Sequence, residues 1–193
     1  MLVLASASPR RAQLLTAAGI AFEARPADVD ETPMAGERPH AYVQRLARDK
    51  ALAGAAAAPG RLVLGADTTV VLDGCILGKA SDAAEACRVL ADLAGRSHEV
   101  LTGVALAGVG EPIVAIASTT VWFAPMTTED IRRYVETGEW RDKAGSYGIQ
   151  GRISRFVARV AGSYTNVVGL PVSLVCDLLM RYPEGRGAVR STP

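Results

Sequence analysis

The run from Leu62 to Leu72, LVLGADTTVVL, constrains this chain more than any other segment, because it is strongly apolar yet carries a carboxylate at its centre. A continuous apolar run followed by Asp73-Gly74 predicts a buried strand that turns back as a hairpin. An Asp inside such a strand costs several kcal/mol unless it is paired, hydrogen-bonded or bound to metal. One reading of Asp67 is structural, with bonds to local backbone N–H groups or to Thr69. The other places it in a cleft, and Gly65 favours this one because a strand glycine permits close backbone approach. A carboxylate so placed can hold Mg²⁺ or take a proton from water.

The N-terminus carries charge in an unusual position. Val3 and Leu4 read as a short buried strand. Ser8 is a good N-cap, Pro9 suits the first helical position, and Leu14 and Leu15 give an apolar stripe that Gly19 closes. Arg10 and Arg11 then fall in the first helical turn, where free N–H groups and the macrodipole already make the field positive. Two cations there are unfavourable until an anion arrives. Strand, turn and helix N-terminus together describe a phosphate or carboxylate receptor, against the plainer reading of a capped helix with solvated arginines.

Further along, strands are predicted near 21–25, 98–108, 113–123 and 156–160. Helices are predicted over 39–57, from Ser81-Asp82 to Gly95, from Thr127 or Thr128 to Val135, and over 170–181. Strands alternating with helices, mixed with hairpins, predict an α/β fold with a mixed sheet. In the second helix Val43, Leu46, Ala47 and Lys50 stand at i, i+3, i+4 and i+7, which puts the lysine on the apolar face. Such a lysine either snorkels outward or lines an anion pocket, and the two arginines favour the pocket. Lys79 follows the hairpin. With a two-residue turn it falls opposite Thr68, on the face away from Asp67, so a strand end or bulge is needed to bring both to one site.

Asp28, Asp30 and Glu31 form an acidic loop, and one of them opposite Asp67 could complete an oxygen-rich Mg²⁺ or Mn²⁺ site. Tyr147-Gly148-Ile149-Gln150-Gly151 sets an amide between glycines, able to read a base edge or to brace a turn. His40 and His98 lack partners at recognisable spacing and read as structural. No GxSxG, Walker A or GxGxxG pattern occurs.

Composition excludes several classes. The formal net charge of +1 provides no general field for a nucleic-acid backbone, and aromatics, 5% of residues, provide few stacking platforms. Cys75, Cys87 and Cys176 are odd in number and widely spaced, which argues for reduced thiols rather than a disulfide or zinc framework. Neither a signal peptide nor a membrane-length apolar run is visible. The expectation is a cytoplasmic globule with no membrane and no stable nucleic-acid partner, forming one domain over 1–183 with a flexible tail over 184–193.

Taken together, Ser6-Ala7-Ser8-Pro9-Arg10-Arg11, Leu46-Ala47 before Lys50-Ala51, Gly65-Ala66-Asp67-Thr68 and the Tyr147–Gly151 segment resemble the Maf family of nucleotide pyrophosphatases. Gly162-Ser163-Tyr164 and Val168-Gly169-Leu170-Pro171 also fit, so the resemblance covers nearly the whole chain. The Tyr-Gly-Ile-Gln-Gly form is similar to the subgroup acting on dTTP and UTP. One departure stands out: the family's Gly-Lys-Pro reads Gly78-Lys79-Ala80 here, which implies a less rigid lysine loop. The resemblance implies a long twisted mixed sheet flanked by helices, with two lobes around a central cleft. It also implies hydrolysis of a nucleoside triphosphate to monophosphate and pyrophosphate with Mg²⁺ or Mn²⁺. Asp67 would activate water, and Glu31 with Asp67 would hold the metal. Ser6, Ser8, Arg10, Arg11, Lys50 and Lys79 would bind the triphosphate, while Thr68 and Gln150 would face the base, with Arg10 at a further specificity position. A homodimer is a further expectation from the resemblance, although no residue pattern marks an interface.

The competing readings are a nucleotide-binding regulator of septum formation and a purine-directed triphosphate pyrophosphatase. A regulator needs the cationic cradle but could dispense with Asp67 or Glu31. A purine enzyme would differ in the base pocket and not in the chemistry.

Overall fold

The computed structural model of the chain describes residues 1–182 and Gly187, so the tail expected over 184–193 lies outside the described residues apart from that glycine. Seven strands form one mixed sheet in the order β2-β1-β3-β5-β6-β7, with β4 attached to β3. They are β1 (Leu2–Leu4), β2 (Phe22–Ala24), β3 (Val63–Leu72), β4 (Cys75–Leu77), β5 (Ser97–Ala107), β6 (Ile113–Phe123) and β7 (Val157–Ala161). The helices are α1 (Pro9–Ala17), α2 (Pro39–Ala57), α3 (Ala83–Leu93), α4 (Thr128–Glu136), α5 (Tyr164–Val168) and α6 (Val172–Leu179). Asp73 and Gly74 both take positive φ, 51° and 78°, as the Asp-Gly hairpin requires. Thr127 rather than Thr128 caps α4, in a capping box with Asp130.

Three expectations need correction. α5 lies outside the predicted helices, and Ser163 caps it by accepting from the Asn166 N–H. The last helix begins at Val172, not at 170, because Pro171 holds Leu170 away from helical backbone. Ser8 occupies the N-cap position of α1 without a side-chain capping bond. Its backbone N–H instead donates to Ser6 Oγ at 3.2 Å.

The path of β3 sets the architecture. On one edge it pairs with β5 from Val63 to Val71. On the other edge β1 takes only Val63 and Leu64, and β4 takes only Val70 to Leu72. Between them the strand from Gly65 to Thr69 has no strand partner on that side among the described residues, and a cleft opens there. Residues alternate across the sheet. Leu64 and Ala66 join one hydrophobic cluster with Leu4, Leu15, Leu170 and Leu178. Val70 and Leu72 join a second with Leu90, Val121, Tyr147 and Ile149. Two cores, one at each end of β3, are the two lobes, and Asp67 and Thr68 lie at the junction. Among the described residues no helix is long and apolar enough to cross a membrane.

Candidate active site

Asp67 faces α2, and the contact depends on missing side chains. Gly103 pairs with Asp67 across the β3–β5 ladder, and Gly65 lies two residues before it on the same face. A Cβ on Gly65 would fall inside the radius of the Ala47 carbonyl oxygen and 2.5 Å from the Ala51 nitrogen. A Cβ on Gly103 would meet the Val43 carbonyl in the same way. The close approach permitted by Gly65 is therefore used by α2 itself. Ala47, Ala51 and Gly54 are correspondingly small and buried on its sheet face, which lets Lys50 reach the strand.

Lys50 is buried, as its spacing predicted, and its Nζ donates to Asp67 Oδ1 at 2.7 Å and meets Glu31 Oε1 at 2.6 Å. Two carboxylates from distant segments thus converge on one ammonium. Asp67 Oδ2 accepts no hydrogen bond among the described residues, and Asp67 lines the cleft. Burial opposes the Glu31 charge, but the bond to Lys50, with the charges of Lys50, Lys79 and Arg11, outweighs it and holds this carboxyl below the usual value. Tyr42 is a residue that sequence reasoning missed, although it precedes Leu46 and Lys50 at helical spacing. Its hydroxyl donates to the Glu31 carbonyl at 3.0 Å and so fastens the acidic loop to α2. Burial and the charges of Asp67 and Glu31 push that hydroxyl up to about 12, so it is a donor at neutral pH. Asp28 and Asp30 do not join the pair; Asp30 accepts from the Thr32 N–H in the exposed loop.

The opposite face of β3 carries Thr68. Arg11 does not point outward from α1 but folds into the lobe junction. Its Nε donates to the Gly169 carbonyl at 2.9 Å, Nη1 to Ser6 Oγ at 3.1 Å and Nη2 to Thr68 Oγ1 at 3.1 Å. Thr68 Oγ1 is also 2.9 Å from Thr102 Oγ1. Burial pulls the Arg11 guanidinium below its usual value while Asp67 opposes the shift, and an arginine so placed remains charged. Three neutral oxygens therefore orient a cation that forms no ion pair with a carboxylate among the described residues. Arg10 lines the cleft beside it without an ion-pair partner among the described residues.

Lys79 reaches the site because β4 ends at Leu77, the strand end its position required. The loop is strapped in place despite Ala80. Lys79 forms a β-bridge with Ala144, and the Gly145 N–H donates to the Leu77 and Gly78 carbonyls, each at 3.1 Å. The same strap leads into Tyr147–Gly151. Gln150 lies exposed at the cleft wall, above a turn held by Gly148 N–H to Tyr134 Oη and by Arg152 N–H to Glu139 Oε2. Beneath it Tyr147 Oη is 2.7 Å from His98 Nε2, and both rings pack edge-on with Phe123. His98 is thus structural; His40 does not line the cleft.

The cleft measures about 610 Å³. Five cations (Arg10, Arg11, Lys50, Lys79 and Lys143) and three carboxylates (Glu31, Asp67 and Asp142) line it, with Ser6, Ser8, Thr68 and Gln150. All ten expected site residues therefore share one cavity; Lys143 is an addition that no spacing signal marked. No group of three or more His, Cys, Asp or Glu suited to a metal occurs among the described residues. Glu31 and Asp67 form a pair already compensated by Lys50. Hard carboxylate oxygens of this kind are the ligand type that Mg²⁺ would take alongside substrate phosphate oxygens. An anionic chain gripped on one side and a carboxylate with a free oxygen on the other make a site for hydrolysis of a phosphate ester or anhydride.

The family described as "Maf-like protein" matches residues 1–182. A protein from Symbiobacterium thermophilum named dTTP/UTP pyrophosphatase is 51% identical over 181 residues, covering 94% of this chain and 93% of that protein. One from Koribacter versatilis with the same name is 51% identical over 180 residues, covering 93% of each. Among solved structures, the Staphylococcus aureus Ham1 protein aligns with a TM-score of 0.42 at 16% identity, over 64% of this chain and 71% of that one.

Proposed function

The chain belongs to the family of Maf-like proteins, and on that premise we propose that it hydrolyses dTTP and UTP to the nucleoside monophosphate and pyrophosphate. The convergence of Lys50, Asp67 and Glu31 beside an otherwise cationic cleft carries this reading. The names of the relatives support the choice of substrate. A regulator that only bound nucleotide would have no use for two carboxylates beside the triphosphate, each of which repels it.

In this reading Arg10, Arg11 and Lys79 hold the triphosphate, aided by Ser6, Ser8 and the N-terminus of α1. Asp67 accepts a proton from water through Oδ2 while Lys50 holds Oδ1 in place. The water oxygen bonds to the α-phosphorus, the bridging α–β oxygen leaves with pyrophosphate, and the proton stays on Asp67 until solvent removes it. Glu31 and Asp67 are the groups that would hold Mg²⁺ or Mn²⁺, and such an ion would supply charge neutralisation at the phosphoryl oxygens. Gln150 and Thr68 face the base. The reading places the enzyme in the cytoplasm, in keeping with three free cysteines.

Products resolved by ³¹P NMR from a panel of nucleoside triphosphates test it. dTTP and UTP giving monophosphate plus pyrophosphate is the expected result. Release of inorganic phosphate, or preference for a purine, overturns the reaction or the base assignment respectively.

A further inference from the structure

Resting on the pyrophosphatase reading, we propose that Lys143 is a further substrate-binding residue, gripping the polyphosphate together with Arg10 and Lys79. The cleft sorts its cations into two kinds. Lys50 is compensated by Glu31 and Asp67, and Arg11 commits its fork to Gly169, Ser6 and Thr68. Arg10, Lys79 and Lys143 line the same cavity without an ion pair among the described residues.

Lys143 is held there by construction. The bridge from Lys79 to Ala144 and the bonds from the Gly145 N–H fasten its segment to the lysine loop, so the two ammonium groups are carried together. Its stem lies along Gly148, where a Cβ would come within 2.8 Å of Cε. Nζ donates to a neutral partner, the Arg141 carbonyl, at 3.3 Å, which leaves two N–H groups for a ligand. Burial and the charge of Arg10 lower the affinity of this amine for its proton, and Glu139 and Asp142 offset them more weakly. Three cations lining one cleft, none of them in an ion pair among the described residues, favour an anion carrying several charges, and a triphosphate is such an anion.

The test uses inorganic tripolyphosphate, which has the charge of the substrate and no base. In calorimetric titrations Lys143→Met binds tripolyphosphate about tenfold more weakly than the parent, a loss of about 1.4 kcal/mol. KM for dTTP rises by a similar factor while kcat stays within about threefold, and Lys143→Arg recovers most of the loss. Lys143→Gln gives the same comparison should the Met variant fail to fold. Unchanged tripolyphosphate binding, or a loss confined to discrimination between dTTP and dCTP, overturns the proposal. If the parent binds tripolyphosphate but hydrolyses no nucleotide, the pyrophosphatase reading fails, and the binding comparison still decides the role of Lys143.

Discussion

Gly65→Ala ties the fold to the site most tightly. The added Cβ would lie 2.5 Å from the Ala51 nitrogen and nearer still to the Ala47 carbonyl oxygen, whereas ordinary contact begins near 3.4 Å. Both neighbours are backbone atoms of α2, so no rotamer change relieves the clash, and the helix must retreat by about 1 Å. Overpacking of this kind costs about 3 kcal/mol, which lowers Tm by roughly 6–12 °C in a chain of this size. The same retreat stretches the 2.7 Å bond from Lys50 to Asp67 beyond hydrogen-bond reach, and a displacement of that size costs turnover about 100-fold. Calorimetry and a pyrophosphate-release assay read the two effects. Gly54→Ala is a graded comparison, because there the close atoms are side-chain carbons, Val63 Cγ1 at 2.8 Å, which can turn, and Ala5 Cβ at 3.0 Å, which cannot. Gly78→Ala, with open space around its Cβ position, leaves Tm within about 2 °C. Parent-like Tm and turnover in Gly65→Ala would refute the claim that the strand glycine sets the seat of Lys50.

Two other perturbations separate the remaining supports. Arg11→Lys keeps the charge but loses the fork that joins Ser6, Thr68 and Gly169, so Tm falls by several degrees and kcat/KM by at least about tenfold; retention of both would reduce Arg11 to a point charge. Burial holds the His98 ring down to about 4, against 6.5 unfolded. As pH falls from 6.5 towards 4 the unfolded state takes the proton first, so stability drops with acid by at most about 3 kcal/mol. Urea denaturation across that range measures the slope, and it should flatten in the His98→Leu/Tyr147→Phe pair; equal slopes would remove His98 as the cause.

What the sequence made legible was local. The β3 run, its Asp-Gly hairpin and the i, i+3, i+4, i+7 stripe ending at Lys50 each follow from periodicity or turn chemistry within one segment. The cationic N-terminus of α1 was equally plain, but the partners of Arg11 were not, since Gly169 lies 158 residues away. Nor could spacing reveal that Glu31 and Asp67 meet on Lys50, because three separate elements build that contact. α5, with five residues, is too short to show a helical period. Ser8 looked like a cap because capping preference is local, whereas its N–H answers to Ser6. Lys143 carried no signal at all, since its place depends on a bridge between two loops.

The most direct test of the account is dTTP turnover by Asp67→Asn, measured with nucleotide affinity and Tm on the same preparation. The account predicts a loss of kcat between about 100- and 10,000-fold with dTTP still bound and the fold intact, since Arg10, Arg11 and Lys79 are untouched. Near-parental turnover in a folded variant would contradict it, and the proton acceptor would have to be sought elsewhere in the cleft.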